Sequence, residues 1–313
     1  MQIPFFKEIE SSQNILLAGA GGGFDITSGI PLYLYLRSQG KNVILANLSF
    51  TELAKIGSKE ICPETYQITV KSKTQEYFPE KYILEWLRDV HNEKPIMYGF
   101  LHEVGVAPLR NAYKFFIQKH QIDTVVVVDG GTDSLMFGDE SDVGTIIEDA
   151  CTILAVEKAG APRNYLVSVG FGVEHNLNHH ACLENIATLT KSGGYKGALS
   201  LTSDMPEGKA YLEITEYLNQ KMPQKKSIVI NSVASAMQGK YGNYHPTNRT
   251  KGTIQYINPL MPIQWFFRLE DIAQNIGFSD RVQDSQDMYD IVKAYRTYRA
   301  TIIVRSDKAI PLL

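Results

Sequence analysis

Short apolar runs alternate with longer segments in which apolar residues recur at helical spacing. The four valines within Thr124–Val128 are typical of a central parallel strand that is covered on both faces. The apolar runs predict strands at Ile15–Ala18, Asn42–Leu48, Gln67–Val70, Ile96–Phe100, Thr124–Val128, Tyr165–Val169, Gly197–Leu201, Ser227–Asn231 and Ala300–Arg305. Helical spacing predicts helices at Ile30–Leu36, Pro79–His91, Val106–His120, Val143–Ala159, Leu177–Lys191, Glu207–Gln220, Leu269–Ile276 and Asp287–Tyr298.

This alternation predicts the fold class. Strands and helices that follow one another at such spacing, joined by right-handed crossovers, form a doubly wound, mostly parallel α/β sheet. We therefore expect a Rossmann-like fold with three α/β/α layers. The chain has no internal repeat and no linker rich in serine or glycine, so residues 1–313 are interpreted as a single domain. Residues 239–313 are less regular, and we expect them to cover the cleft.

Composition and charge limit which binding partners and which cellular compartment we expect. A hydrophobic content of 44% and a charged content of 21% are ordinary for a globular protein. The net charge of -3 gives no reason to expect nucleic acid or a membrane as a partner. Three cysteines without a CxxC pair, together with the lack of a signal sequence or long apolar run, predict reduced thiols in a cytoplasmic protein. We expect a homo-oligomer.

A glycine-rich loop follows the first predicted strand and precedes a helix. Such a loop lets backbone N–H groups approach a ligand, and the helix that follows favours a phosphate or carboxylate. A tight turn capped by a hydroxyl side chain is the structural alternative. The candidate cofactor-binding residues of this loop are Gly21, Gly22, Gly23, Asp25, Thr27 and Ser28.

Carboxylates cluster in a second loop, which follows the valine-rich strand. Asp129 lies where that strand ends, and Asp133 follows a pair of glycines. Carboxylates packed at a strand end repel one another unless a cation, a proton or a sugar hydroxyl relieves them. The loop therefore predicts a site for Mg²⁺ or ribose, with both aspartates as candidate metal ligands and catalytic residues.

A third loop, Gly170–Glu184, contains a glutamate and three histidines just after another strand. Glu174 directly follows a glycine turn and is the candidate general acid or base. His175 and His179 are four residues apart and would share a helix face, a spacing that can hold zinc or iron. The alternative is that the histidines cap the helix or lie at the surface.

A fourth polar loop, Gly239–Gly252, carries basic and aromatic residues. Arg249 is its candidate catalytic residue, because a guanidinium can neutralise charge that develops on a ligand. Together with the neighbouring tyrosines, it is suited to close over an anionic ligand that bears a ring. A solvated loop is the alternative interpretation.

These loops carry a resemblance to the uncharacterised family known as domain of unknown function 1152. The family pattern is matched by Gly21–Asp25, by Asp129–Glu140, by Gly170–Glu174 and by Gly239–Arg249, so that the resemblance covers most of the chain. Thr132 departs from the usual residue of the second motif. The resemblance implies a Rossmann-like fold and no established activity.

Two partial likenesses concern single loops. The G-A-G and S-G-I-P segments between Gly19 and Pro31 resemble the NAD loop of sirtuins, with a longer gap and without the zinc cysteines. Asp129–Glu140 is loosely similar to the calcium loop of nucleoside hydrolases, in which carboxylates hold a cation and ribose hydroxyls. NAD or another nucleotide is therefore an expected cofactor, beside Mg²⁺.

Acidic and glycine-rich loops at successive strand ends favour an enzyme. We expect a hydrolase or transferase that acts on a nucleotide-like or phosphorylated small molecule in a cleft at the carboxyl ends of the strands. A nucleotide-binding sensor subunit without catalysis is one alternative. An NAD-dependent enzyme is another, although the strand Asn42–Leu48 has no clear acidic ribose anchor at its end.

Overall fold

The chain folds around a nine-stranded β-sheet with helices on both faces, in a computed structural model that describes residues 2–310. The predicted three-layer, Rossmann-like α/β/α fold is thereby confirmed. The strands are β1 Asn14–Gly19, β2 Asn42–Ser49, β3 Glu60–Cys62, β4 Thr65–Ile68, β5 Met97–Leu101, β6 Thr124–Gly130, β7 Arg163–Val169, β8 Tyr195–Ser200, β9 Gly242–Asn243, β10 Tyr256–Ile257 and β11 Ile263–Arg268.

Helices connect most of the strands. They are α1 Pro4–Glu8, α2 Asp25–Ser28, α3 Ile30–Ser38, α4 Pro79–His91, α5 Val106–His120, α6 Ile146–Glu157, α7 His179–Ser192, α8 Pro206–Lys221, α9 Ile228–Met237, α10 Leu269–Asn275 and α11 Met288–Arg299. No helix within residues 2–310 is long and apolar enough to cross a membrane.

The order of strands in the main sheet is β3-β4-β5-β2-β1-β6-β7-β11-β8. Strands β5, β2, β1, β6 and β7 pair in parallel, whereas β4 and β11 run against their neighbours. The small β9–β10 pair forms a separate antiparallel sheet. The carboxyl ends of β1, β6 and β7 therefore meet at one edge of the main sheet, where polar loops follow each of them.

Alternating side chains of the central strands build two cores. Val125 and Val127 of β6 point to the face that α5, α6, α7 and α10 cover, and Val126 and Val128 point to the face covered by α3, α4, α8 and α9. Both faces of the strand are apolar because both are buried, as expected for a parallel sheet between helical layers. These two cores hold the carboxyl edge of the sheet in place.

The predicted strand Ser227–Asn231 was wrong, because this segment begins helix α9. The Ser227 side chain accepts a hydrogen bond from the backbone N–H of Ile230, as a helix N-cap does. The apolar positions Ile230, Val233 and Ala234 then follow helical spacing and pack into the core. The β-branched run Ile228–Ile230 suggested a strand, but the packing of this segment against the core stabilises a helix instead.

Two further differences concern the last third of the chain. The predicted strand Ala300–Arg305 was wrong: Arg305 forms only an isolated bridge with Glu140. Instead β11, which was not predicted, inserts between β7 and β8 and is antiparallel to both. Its aromatic residues Trp265, Phe266 and Phe267 fit a strand, but two prolines precede it closely in Asn258–Pro262 and obscured the pattern.

A buried lysine ties the N-terminal segment to the sheet. The Lys41 ammonium group donates to the backbone carbonyls of Ile9, Glu10 and Ser12 at 3.1, 2.8 and 2.7 Å. Its side chain is almost fully buried, and these three carbonyls replace the water that the charge loses. Lys41 therefore fixes the turn between α1 and β1.

Replacing Lys41 by methionine is expected to destabilise the protein by about 3 kcal/mol, because three carbonyls, two of them in buried bonds, lose a charged donor. Chemical denaturation of both proteins measures this loss. Lys7→Met, at an exposed position of α1, is the matched control and should change the free energy of unfolding by less than about 0.5 kcal/mol. Equal stability of Lys41→Met and the wild type would contradict a structural role of the ammonium group.

Candidate functional site

A cavity of about 300 Å³ opens at the carboxyl edge of the sheet, beside the ends of β1 and β6. The loop after β7 supplies one of its carboxylates, and the start of α6 supplies two more. Residues of the cavity wall are Gly21, Gly22, Gly23, Phe24, Asp25, Phe50, Tyr77, Asp129, Gly130, Asp133, Thr145, Glu148, Asp149, Glu174, Ser227, Ile228, Val229 and Arg249. The structure thus brings together the predicted candidates Gly21–Gly23, Asp25, Asp129, Asp133, Glu174 and Arg249.

Three aspartates converge closely within this cavity. One carboxylate oxygen from each of Asp25, Asp129 and Asp149 lies within 4.8 Å of the other two. Asp25 is the first residue of α2, Asp129 lies near the end of β6, and Asp149 lies in the first turn of α6. Oxygen atoms at such separations can bind one hard cation together.

The surrounding protein satisfies two of these carboxylates and leaves the third open. The Asp25 Oδ2 atom accepts from the Gly21 N–H at 2.7 Å, and the Asp129 Oδ2 atom accepts from the Ser134 hydroxyl and N–H. The buried Oδ1 atom of Asp149 has no hydrogen-bond partner among residues 2–310. A buried carboxylate oxygen without a partner is costly, so it needs a ligand or a proton.

Two further carboxylates lie around Gly131. The Asp133 Oδ2 atom accepts from the N–H and hydroxyl of Thr145 at 2.8 and 2.6 Å, and the Glu174 Oε2 atom accepts from the Thr132 N–H at 3.3 Å. A Cβ atom at Gly131 would lie 2.2 Å from Glu174 Oε1 and 2.8 Å from Asp133 Oδ1. Only a glycine therefore lets the carboxylates approach so closely.

Burial and mutual repulsion raise the pKa values of the cluster. Burial, helped by the charge of Asp133, raises the pKa of Asp25 to about 7. The same two causes raise the pKa values of Asp129, Asp149 and Glu174 well above their ordinary range. Burial and repulsion thus both favour a bound proton or a bound cation at the cluster.

The glycine loop packs against the carboxylates. The Gly21 N–H points to Asp25, and the Gly23 N–H donates to the carbonyl of Leu48 at 3.0 Å. A Cβ atom at Gly21 would lie 2.8 Å from Asp149 Oδ1. Two of the N–H groups that were expected to face a ligand thus bond within the protein, and only that of Gly21 contacts the acidic cluster. The loop contributes to the site mainly because its glycines allow close approach.

Four predicted residues lie outside the cavity wall as residues 2–310 form it. Thr27 and Ser28 are buried within α2. His175 is exposed, and His179 packs edge-on against Phe171 with ring centres 5.5 Å apart. Neither histidine belongs to the group of converging metal-ligand atoms that the described part of the chain contains.

Arg249 is the one cationic side chain in the wall formed by residues 2–310. It is exposed, and its guanidinium donates to the carbonyl of Lys226 at 3.3 Å. Arg249 is therefore placed to contact a ligand at the cavity.

The acidic pair that ends the second loop has a structural role instead. Arg305 contacts both Asp139 and Glu140 at 2.7 Å.

Sequence reasoning missed Asp149 and its neighbour Glu148. Both lie inside the helical pattern Val143–Ala159, in which acidic residues normally face solvent. Their signal was their place in the first turn of a helix that begins just after the acidic loop, since that end of the helix meets the carboxyl edge of the sheet. Burial of Asp149 within α6 distinguishes it from a solvated residue.

The fold and this site define a class: a three-layer α/β protein with a carboxylate-lined cavity at the carboxyl edge of its sheet. Residues 58–304 match the family described as "Protein of unknown function (DUF1152)", and the chain belongs to that family. The match includes Asp129 and Glu174 but begins after the glycine loop. No curated protein matches the chain. The sirtuin likeness of the first loop gains no support from these matches.

A buried glutamate, Glu80, is connected to the glycine loop through Asn47. The Asn47 amide donates to the carbonyl of Gly23 and to Glu80 Oε1, each at 2.9 Å. Glu80 is fully buried, and burial raises its pKa to about 7 against the opposing hydrogen bond from Asn47. The folded protein therefore holds Glu80 largely protonated below neutral pH.

Replacing Glu80 by glutamine is expected to stabilise the protein at high pH. Because the pKa of Glu80 is raised from 4.5 to about 7, the acid contributes full stability below pH 4.5 and loses it as the pH rises through 7. The difference should be negligible at pH 4 and reach at most about 3 kcal/mol at pH 8. Chemical denaturation across this range measures it, with the exposed Glu213→Gln as a control that stays flat. A pH-independent difference would contradict the raised pKa.

Proposed function

We propose that this protein is a metal-dependent hydrolase or transferase that acts on a nucleotide-like or phosphorylated small molecule. One observation carries the proposal: Asp25, Asp129 and Asp149 converge within 4.8 Å, and a buried oxygen of Asp149 has no partner in residues 2–310. The chemistry of this donor set fits a hard divalent cation such as Mg²⁺ or Mn²⁺.

The charge balance of the cavity supports a resident cation. Its wall combines six carboxylates with a single guanidinium, that of Arg249, within the described residues. A bare anionic ligand would be repelled by such a surface. A divalent cation held by the three aspartates offsets part of this negative charge and gives a phosphate group a place to bind. The carboxylates are Asp25, Asp129, Asp133, Glu148, Asp149 and Glu174.

The residues around the cation divide the remaining roles. When bound, a divalent cation would polarise a phosphoryl oxygen and lower the pKa of a bound water molecule. Burial and the charge of Asp133 raise the pKa of Glu174, which favours its role as general acid or base. Asp133 is fixed by Thr145 beside Glu174, and Arg249 neutralises charge on the outer side of the ligand.

Asp149→Asn is expected to weaken Mn²⁺ binding at least tenfold, because an amide replaces the carboxylate that has an open buried oxygen. Electron paramagnetic resonance of free Mn²⁺ during titration of the full chain measures the affinity. Asp129→Asn should weaken binding similarly. Asp204→Asn, an exposed aspartate before α8, is the matched control and should bind as the wild type does.

A wild-type protein that binds neither Mn²⁺ nor Mg²⁺ would contradict the proposed metal site. So would equal Mn²⁺ affinity in the wild type, Asp149→Asn and Asp129→Asn. Thermal denaturation of the same proteins without cation serves as the folding control, and removal of a buried, repelled charge should leave the variants at least as stable as the wild type.

Glu174→Gln is expected to lower kcat by about 10²- to 10⁴-fold and to change Mn²⁺ affinity by no more than a few-fold. The amide keeps an acceptor for the Thr132 N–H but cannot transfer a proton. Phosphate release or group transfer from a panel of nucleotides and sugar phosphates measures turnover. Tight retention of a compound by the wild type without any turnover would instead indicate a sensor subunit.

A further inference from the structure

An aromatic wall stands beside the acidic cluster and has no role in the chemistry described above. It consists of Phe24, Phe50 and Tyr77, all of which border the cavity. Phe50 directly follows β2, in which Val43–Ser49 are all buried, yet 44% of its own surface is exposed. Because this exposed ring lines a cavity rather than the outer surface, it offers a contact for a ligand.

The rings of this wall are held in place before any ligand arrives. The Thr51 hydroxyl donates to the carbonyl of Tyr77 at 2.8 Å, so the segment that carries Tyr77 is tied to the end of β2. The Tyr77 ring packs edge-on against Phe24 with centres 5.5 Å apart and is tilted against Phe50 at 6.5 Å. The rings on this side of the cavity are therefore already ordered, and the exposed Phe50 ring can take a planar ligand on its face.

One loop joins the aromatic wall to the acidic cluster. A Cβ atom at Gly23, where φ is 60°, would lie 2.7 Å from the Tyr77 hydroxyl and 3.0 Å from the Phe50 ring. Two residues earlier, Gly21 donates to Asp25. The glycine loop thus lies between the aromatic wall and the acidic cluster and contacts both.

This juxtaposition fits a ligand with a planar ring at one end and an anionic group at the other. We propose that the cavity binds a nucleoside monophosphate, with the base stacked on Phe50 beside Tyr77 and the phosphate directed to the cation at Asp25, Asp129 and Asp149. The inference rests on the proposed function and adds the class of substrate and the residues that recognise its base. Aromatic stacking tolerates any of the four bases.

The size of the cavity favours one nucleotide over two. Its volume of about 300 Å³ lies at the lower end of the range for small-molecule sites, which reaches about 1,000 Å³. A dinucleotide such as NAD also calls for a carboxylate at the end of β2 to bind a ribose. The nearest such residue, Glu52, is paired with Lys55 and lies outside the cavity wall as residues 2–310 form it.

Calorimetric titration of the Mn²⁺-loaded full chain tests the inference. The probes are AMP, GMP, CMP and UMP, with ribose 5-phosphate as the probe that lacks a base. The wild type should bind at least one nucleotide more tightly than ribose 5-phosphate. Phe50→Ala should weaken nucleotide binding by about 5- to 150-fold, as loss of a stacking ring does, and leave ribose 5-phosphate binding unchanged.

Two variants keep this experiment specific. Phe50→Tyr retains the ring and should bind nucleotides within a few-fold of the wild type. Phe115→Ala removes an exposed ring on α5, away from the cavity wall, and should change no affinity. Equal affinity of the wild type for nucleotides and ribose 5-phosphate, or unchanged nucleotide affinity in Phe50→Ala, would overturn the inference.

Separate Mn²⁺ titrations distinguish failure of the inference from failure of the proposed function. If the wild type binds Mn²⁺ through its aspartates but none of the four nucleotides, the inference falls and the metal site remains. If the wild type binds no Mn²⁺, the proposed function falls and the inference falls with it.

Discussion

Carboxylates crowded together at one edge of a parallel sheet repel one another, and the structure at this edge is built around that repulsion. Asp25, Asp129 and Asp149 come within 4.8 Å through one oxygen each, and burial of Asp129 and Asp149 removes most of the water that would screen their charges. Protons can relieve the repulsion, as the raised pKa of Asp25 shows, and so can a divalent cation. A buried cluster that needs such a partner is the feature from which the proposed chemistry follows.

The fold brings these residues together by elements that are distant in sequence. The crossovers between β1, β6 and β7 place the loop after each strand at the same edge, and α6 begins there, directly beyond the loop that follows β6. Glycines then allow contact distances that a Cβ atom would prevent, at Gly21 beside Asp149 and at Gly131 beside Glu174. The strands therefore fix where the carboxylates lie, and the glycines allow them to approach one another closely.

Local pattern predicted most of this fold and part of the site. Helices α4 and α5 have the predicted bounds, because their apolar spacing and flanking residues agree with their tertiary environment. Asp129 was singled out because it lies at the end of a strand, and Glu174 because it follows the glycine turn after the next strand. Asp149 was missed, since a carboxylate inside a helical pattern reads as solvated until the position of α6 against β6 is known. The strand predicted at Ser227–Asn231 failed for a similar reason: long-range packing decides between helix and strand for a short β-branched run.

The central claim is that Asp25, Asp129 and Asp149 together hold one divalent cation. A crystal structure of the protein grown with Mn²⁺, with anomalous diffraction recorded at the manganese edge, tests this claim most directly. The account predicts an anomalous peak bonded to a carboxylate oxygen of each of the three aspartates, including the Oδ1 atom of Asp149 that lacks a partner within residues 2–310. Manganese bound elsewhere, or a cluster that shows no anomalous peak at saturating Mn²⁺, would contradict it.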